Sequence, residues 1–165
     1  MSRLRCSSLS HPALAQVDPY LEVAEPFPTL PRLLIPSRRV PVKPPVMHYG
    51  WRVPRDFLLA YALAHKIKRK WGRALSEYER MSFALGAIDA ECNAGTPSYH
   101  LGLQLTCIGN LQSDQMLIIS IYTNYELRLD NLTPEDAIER LRKGLELTEP
   151  PAWFLDNEKW AWGWW

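Results

Sequence analysis

Hydrophobic positions along this chain follow two different periods, and one long stretch follows neither. Phe57, Tyr61, Ala64, Ile67 and Trp71 recur at intervals of three and four, the spacing of one face of a helix. With Pro54 suited to an early helical position and Gly72 to a stop, this predicts a helix over about 55–71. Its first half is apolar nearly all round, as a buried helix would be, and its last turns are basic, which suits the negative end of the helix dipole. Ser76-Glu77-Tyr78-Glu79 then reads as a capping box. It opens a second helix with Met81, Leu85, Ile88 and Cys92 inward, ended by Asn93-Ala94-Gly95 and Pro97. The short link between the two predicts an antiparallel helical hairpin.

At Tyr99 the period falls to two. Tyr99, Leu101, Leu103, Leu105 and Cys107 alternate with His100, Gly102, Gln104 and Thr106, the pattern of a half-buried strand. After a polar turn at 109–115, Leu117, Ile119, Ile121, Thr123, Tyr125, Leu127 and Leu129 all fall on odd positions. Parity leaves two readings open: one long bent strand, or two strands joined tightly at Thr123-Asn124. By the same parity, His100, Gln104, Glu126 and Arg128 share the other face with Ile118 and Tyr122. Thr133 as cap, Pro134 at the first position and two acids after it start a third helix over about 134–147. Ile138, Leu141 and Leu145 form its inward stripe, and Glu139 and Lys143 pair on the solvated side. The fold class is α+β: a helical hairpin, a small antiparallel sheet of two or three strands with helices on one face, and a C-terminal helix.

Residues 1–50 show neither period. Nine of the chain's 14 prolines lie there, so this segment is expected to be an extended arm with polyproline II stretches, and residues 51–165 the α+β domain with its tail. The arm also holds Tyr20, Leu21, Phe27, Leu30, Leu33, Leu34 and Ile35, more apolar surface than a solvated linker needs. It is therefore expected to wrap the domain or to bind another protein. At the far end, Trp160, Trp162, Trp164 and Trp165 crowd into six residues. An extended tail places Trp160, Trp162 and Trp164 on one face with Ala161 and Gly163 on the other, which predicts a terminus that docks on the domain, with a partner or membrane interface as the alternative.

Charge divides the chain. Residues 1–75 carry 13 Lys and Arg against 4 Asp and Glu, and residues 76–165 carry 6 against 14, so a formal net of +1 hides fields of opposite sign. The basic half is expected to lie against the acidic half, or else to offer a surface for nucleic acid or anionic lipid. Lys66, Arg69, Lys70 and Arg73 share one side of the predicted first helix and are the candidate anion-binding residues, although no motif places them in a groove. Nucleic acid is accordingly the least favoured partner.

Arg38-Arg39-Val40-Pro41-Val42-Lys43-Pro44 fits RxxPxxP. Pro41 and Pro44 would form one ridge of a polyproline II helix with Arg38 reaching an acidic pocket, the pattern read by SH3-type domains. Arg38, Pro41, Pro44, Trp160, Trp162 and Trp164 are the candidate partner-binding residues.

Nucleophile-elbow, P-loop and zinc-protease motifs are absent from the sequence, and no catalytic residue, cofactor or metal is expected. Cys92, His100 and Cys107 have ligand chemistry but lack a fourth ligand and paired spacing. Three cysteines without a CxxC pair point to a reducing compartment, cytoplasmic or nuclear; the first 17 residues, rich in Arg and Ser and free of acid, give a mitochondrial presequence as the alternative. No apolar run reaches the length of a membrane span. The expected function is a non-enzymatic interaction module. The rival readings are a small enzyme or ligand binder with a cleft between sheet and arm, and a nucleic-acid binder using the basic end of the first helix.

Overall fold

The structure is a computed structural model; it describes residues 26–52, 55–67, 69–70, 72–92, 104–108, 116–127, 132–156, 159 and 162–165, with backbone alone at 69–70, 104–108 and 116. Its elements in chain order are β1 (Val42–Lys43), β2 (Met47–Arg52), α1 (Arg55–Ala64), β3 (Arg69–Lys70), β4 (Arg73–Ala74), α2 (Glu77–Glu91), β5 (Gln104–Ile108), β6 (Met116–Thr123), α3 (Glu135–Gly144), β7 (Ala152–Leu155) and β8 (Gly163–Trp164). The fold is α+β. The main sheet has the order β5-β6-β2-β7 and is antiparallel throughout.

The alternating segment supplies β5 and β6, and 116–123 is one strand that ends in a turn at 124–127. The part of the expected strand at 99–103 lies outside the described residues. Two strands that the alternation does not announce complete the sheet. Most prominent is β2, from the stretch with no period, which sits centrally between β6 and β7. Met47, His48, Gly50 and Trp51 are all buried. A strand covered on both faces has no polar side to alternate with, which is why the sequence pattern misses it.

Register decides which residues share a face. Tyr49 lies opposite Tyr122, but Gly50 lies opposite Ser120, so Ile121 is the extra residue of a bulge. The bulge reverses parity within β6. Tyr122 therefore joins Tyr49 rather than Ile118, correcting the face assigned from simple alternation; the Tyr49 and Tyr122 rings stack at 5.0 Å. On that side, Trp51 and Ile119 meet Leu58, Met81, Leu85, Ile88, Ala137, Leu141 and Leu145 from the helices in the main core. The opposite side carries Ile118 against Phe154, with His48 and Ser120.

The first helix is shorter than its periodicity suggests. It stops at Ala64 because Ile67 N–H returns to Ala62 O and Lys66 N–H to Leu63 O, with Lys66 at φ 57°, a Schellman stop built without glycine. The buried stripe is Leu58 and Ala62, with Phe57 and Tyr61 at its margin. Arg69–Lys70 and Arg73–Ala74 pair as the antiparallel β3–β4 strands instead of continuing the helix, and Gly72 between them has φ 80°. Trp71 lies outside the described residues.

The capping box of α2 forms as expected, Ser76 Oγ accepting from Glu79 N–H and the Glu79 carboxylate accepting from Ser76 N–H. Helix α3 begins after Pro134, which takes the cap position that the sequence gives to Thr133, without a side-chain bond. A second Schellman stop closes it, with Glu146 at φ 55°. Arg55 pairs with Glu77 at 2.6 Å, and Arg73 pairs with Glu79.

Residues 26–35 lie on the tyrosine side of the sheet. Phe27 exchanges backbone hydrogen bonds with Trp153 at 3.0 and 2.8 Å, and Phe27, Leu30, Leu34, Met47 and Trp153 form a second core cluster. Buried Asn124 clasps this segment. Its Oδ1 accepts from Met47 N–H at 3.0 Å, and its Nδ2 donates to Leu34 O at 2.7 Å and to Pro45 O at 3.0 Å. Three backbone groups that burial would otherwise leave unpaired are satisfied by one side chain.

Candidate functional site

The arm and the tail meet. Val42 pairs with Trp164 and Lys43 with Gly163 in the antiparallel β1–β8 ribbon. Trp165 N–H donates to Pro41 O at 3.3 Å on one side of the ribbon; on the other, Val46 N–H donates to Lys159 O and Asp156 N–H to Val46 O, each at 3.0 Å. The two regions with partner-binding candidates, far apart in sequence, thus run side by side.

Their side chains divide into docked and free. Trp162 is half-buried and packs against the second cluster. Trp164 is 67% exposed and Trp165 54%, although strand parity alone would put Trp162 and Trp164 on one face. Trp160 lies outside the described residues. The Trp165 ring meets Tyr125 edge-on at 6.3 Å, and Lys43 Nζ sits 5.5 Å from the centre of the same tyrosine ring. Tyr125 Oη in turn donates to Pro44 O. Arg38, Arg39, Val40 and Pro41 are exposed, whereas Pro44 and Pro45 are buried. Of the RxxPxxP ridge, therefore, Arg38 and Pro41 face solvent and Pro44 does not.

The basic candidates lie at the stop of α1 and on the paired strands β3 and β4, where Lys70 is the cross-strand partner of Arg73. Lys66 is exposed at the stop of α1, Arg69 and Lys70 lie on β3, and Arg73 on β4 is held by Glu79. They do not share a helix side, because the helix on which that expectation rests has already ended.

A second constellation has no sequence signature. On the sheet side away from the helices, His48 Nε2 lies 2.7 Å from Asp156 Oδ2 and His48 Nδ1 lies 2.9 Å from Ser120 Oγ. Asp156 Oδ1 also accepts from Lys159 N–H at 2.6 Å. With the carboxylate as acceptor, Nε2 carries a proton, and in the neutral ring Nδ1 accepts from the Ser120 hydroxyl. The connectivity is that of a nucleophile, a base and an orienting acid. Ser120, however, sits in mid-strand at 4% exposure and His48 at 5%, so no substrate carbonyl reaches the hydroxyl in this conformation. What the trio does here is satisfy buried polar groups and tie β2, β6 and the root of the tail together.

Among the described residues, no group of three His, Cys, Asp or Glu is placed to hold a metal ion, and no helix is long and apolar enough to cross a membrane. His100 of the cysteine–histidine trio lies outside the described residues. Compared with known proteins, the chain matches no family model, no curated protein and no solved structure.

Proposed function

We propose that the protein is a non-enzymatic interaction module whose contact element is the ribbon where the proline-rich arm meets the tryptophan-rich tail. One observation carries this reading: the ribbon pairs its backbones yet leaves Trp164 and Trp165 more than half exposed. A tail that only completed the core would bury them, since a ring removed from water contributes roughly 2–3 kcal/mol. Aromatic and Arg side chains are also the groups that most often dominate contact energies.

The reading has two modes. A partner docking on the closed ribbon meets Arg38, Pro41 and Trp164 directly. An SH3-type domain reading the whole ridge requires Pro44, so it must first part β1 from β8. Titrating SH3-type domains into the intact chain and into a chain truncated after Trp162 separates them. Binding only to the truncated chain, lost with Pro41→Ala, supports the opened ridge; a panel that binds neither chain removes it. The rival enzyme reading draws on the Ser120–His48–Asp156 geometry. It predicts that a fluorophosphonate labels Ser120 and that His48→Gln prevents it, and an unlabelled folded protein would retire it.

A further inference from the structure

The chemistry around the ribbon goes further than a generic contact surface. Between Pro26 and Arg55 the sequence has Arg32, Arg38, Arg39, Lys43, Arg52 and Arg55 and no acid at all. Arg55 is taken by Glu77 and Arg52 lies over the Phe154 ring. Arg32, Arg38, Arg39 and Lys43 are exposed, and none forms an ion pair among the described residues.

The same segments carry exposed large apolar side chains: Leu33 at 55%, Val40 at 50%, and Trp164 and Trp165. Asn124 joins the backbones at Leu34 and Pro45, and the ribbon joins 42–43 to 163–164, so the arm and the tail are held beside each other. Four large apolar side chains exposed by half or more give these segments an apolar as well as a basic surface. A groove that holds an acidic peptide would instead shield its own walls. Exposed Trp, Leu and Val among Arg side chains without an ion pair match a surface that is negative at its face and apolar just beneath, with Trp at the boundary where its ring and N–H are both accommodated.

We infer that this arm-and-tail surface docks on an anionic lipid bilayer, with Arg32, Arg38 and Arg39 against the headgroups and Val40, Trp164 and Trp165 entering the interface. This goes beyond the interaction-module reading, which a protein partner would satisfy equally. The full chain is sedimented with vesicles of phosphatidylcholine alone and of phosphatidylcholine with phosphatidylserine, while tryptophan emission is followed. The chain is expected to pellet with the anionic vesicles only, with a blue shift, and to be released by salt.

Each cation near an anionic leaflet strengthens partitioning about fivefold, so Arg38→Ala/Arg39→Ala is expected to lower it by roughly twenty-five-fold or more. Trp164→Ala/Trp165→Ala is expected to abolish the blue shift contributed by the tail and weaken pelleting. Both pairs are exposed, and an unchanged melting temperature verifies that the variants fold. The assignment is overturned if the chain stays in the supernatant at low salt, partitions equally onto both vesicle types, or pellets undiminished in both double variants. Binding of a soluble acidic peptide without vesicle binding would also overturn it, and would give the same face to a protein partner.

Discussion

Gly50 shows how much one missing side chain can matter. A Cβ built there would lie 1.8 Å from the Ile119 carbonyl oxygen, a backbone atom at the bulge that cannot swing aside. Gly50→Ala is expected to cost at least about 3 kcal/mol in chemical denaturation or to prevent folding. Gly86, in mid-α2 with open space around it, is the control: Gly86→Ala should stabilise by about 0.5–1 kcal/mol. Glu79 carries a pH signature. The Arg73 guanidinium, aided by the Ser76 amide and hydroxyl, holds its carboxyl at about 2, below the ordinary 4.5. A folded value below the unfolded one means that the stabilisation is complete above pH 4.5 and is lost as pH falls toward 2. Urea midpoints of the wild type and Glu79→Gln should differ at neutral pH and converge through that window, whereas a gap independent of pH would deny the charge-based account.

At the level of elements, what could be read in advance was what is encoded locally. The box at Ser76 and Glu79 and the stripe Met81, Leu85, Ile88 are decided by residues within a turn or two of each other, and they form as the spacing predicts. The end of α1 was not legible, since its stop uses Lys66 where glycine is the usual signal, and the periodic residues beyond it pointed the other way. Strand β2 was invisible because burial on both faces erases alternation. Tyr122 changed face through a one-residue bulge that parity does not register. The Ser120–His48–Asp156 trio joins residues 72 and 108 positions apart, so no local pattern can bring it to notice. The two glycine-free stops yield a prediction of their own. Replacing Lys66 or Glu146 by Gly relieves the left-handed backbone and should raise stability by about 0.5–1 kcal/mol each, read as a higher denaturation midpoint. A fall would mean that the lost side chains contribute more than the strain.

For the whole molecule, the tryptophans report which part of the tail belongs to the fold. Trp162→Ala should destabilise by about 2 kcal/mol, because its ring lies on the second cluster, while Trp164→Ala should stay within about 0.5 kcal/mol of wild type. Thermal melts of the two variants check this, and equal losses would mean that Trp164 is a structural residue. The central position of β2 carries a different consequence, for how the chain is made. Its neighbours in the sheet are residues 118–123 and 152–155, so a strand synthesised early waits for partners that leave the ribosome much later. Until then the apolar groups at Met47, Tyr49 and Trp51 have no sheet to join. Pairings this distant in sequence slow the start of folding, so the apolar groups of β2 are expected to stay uncovered during synthesis for longer than those of a strand paired in a hairpin.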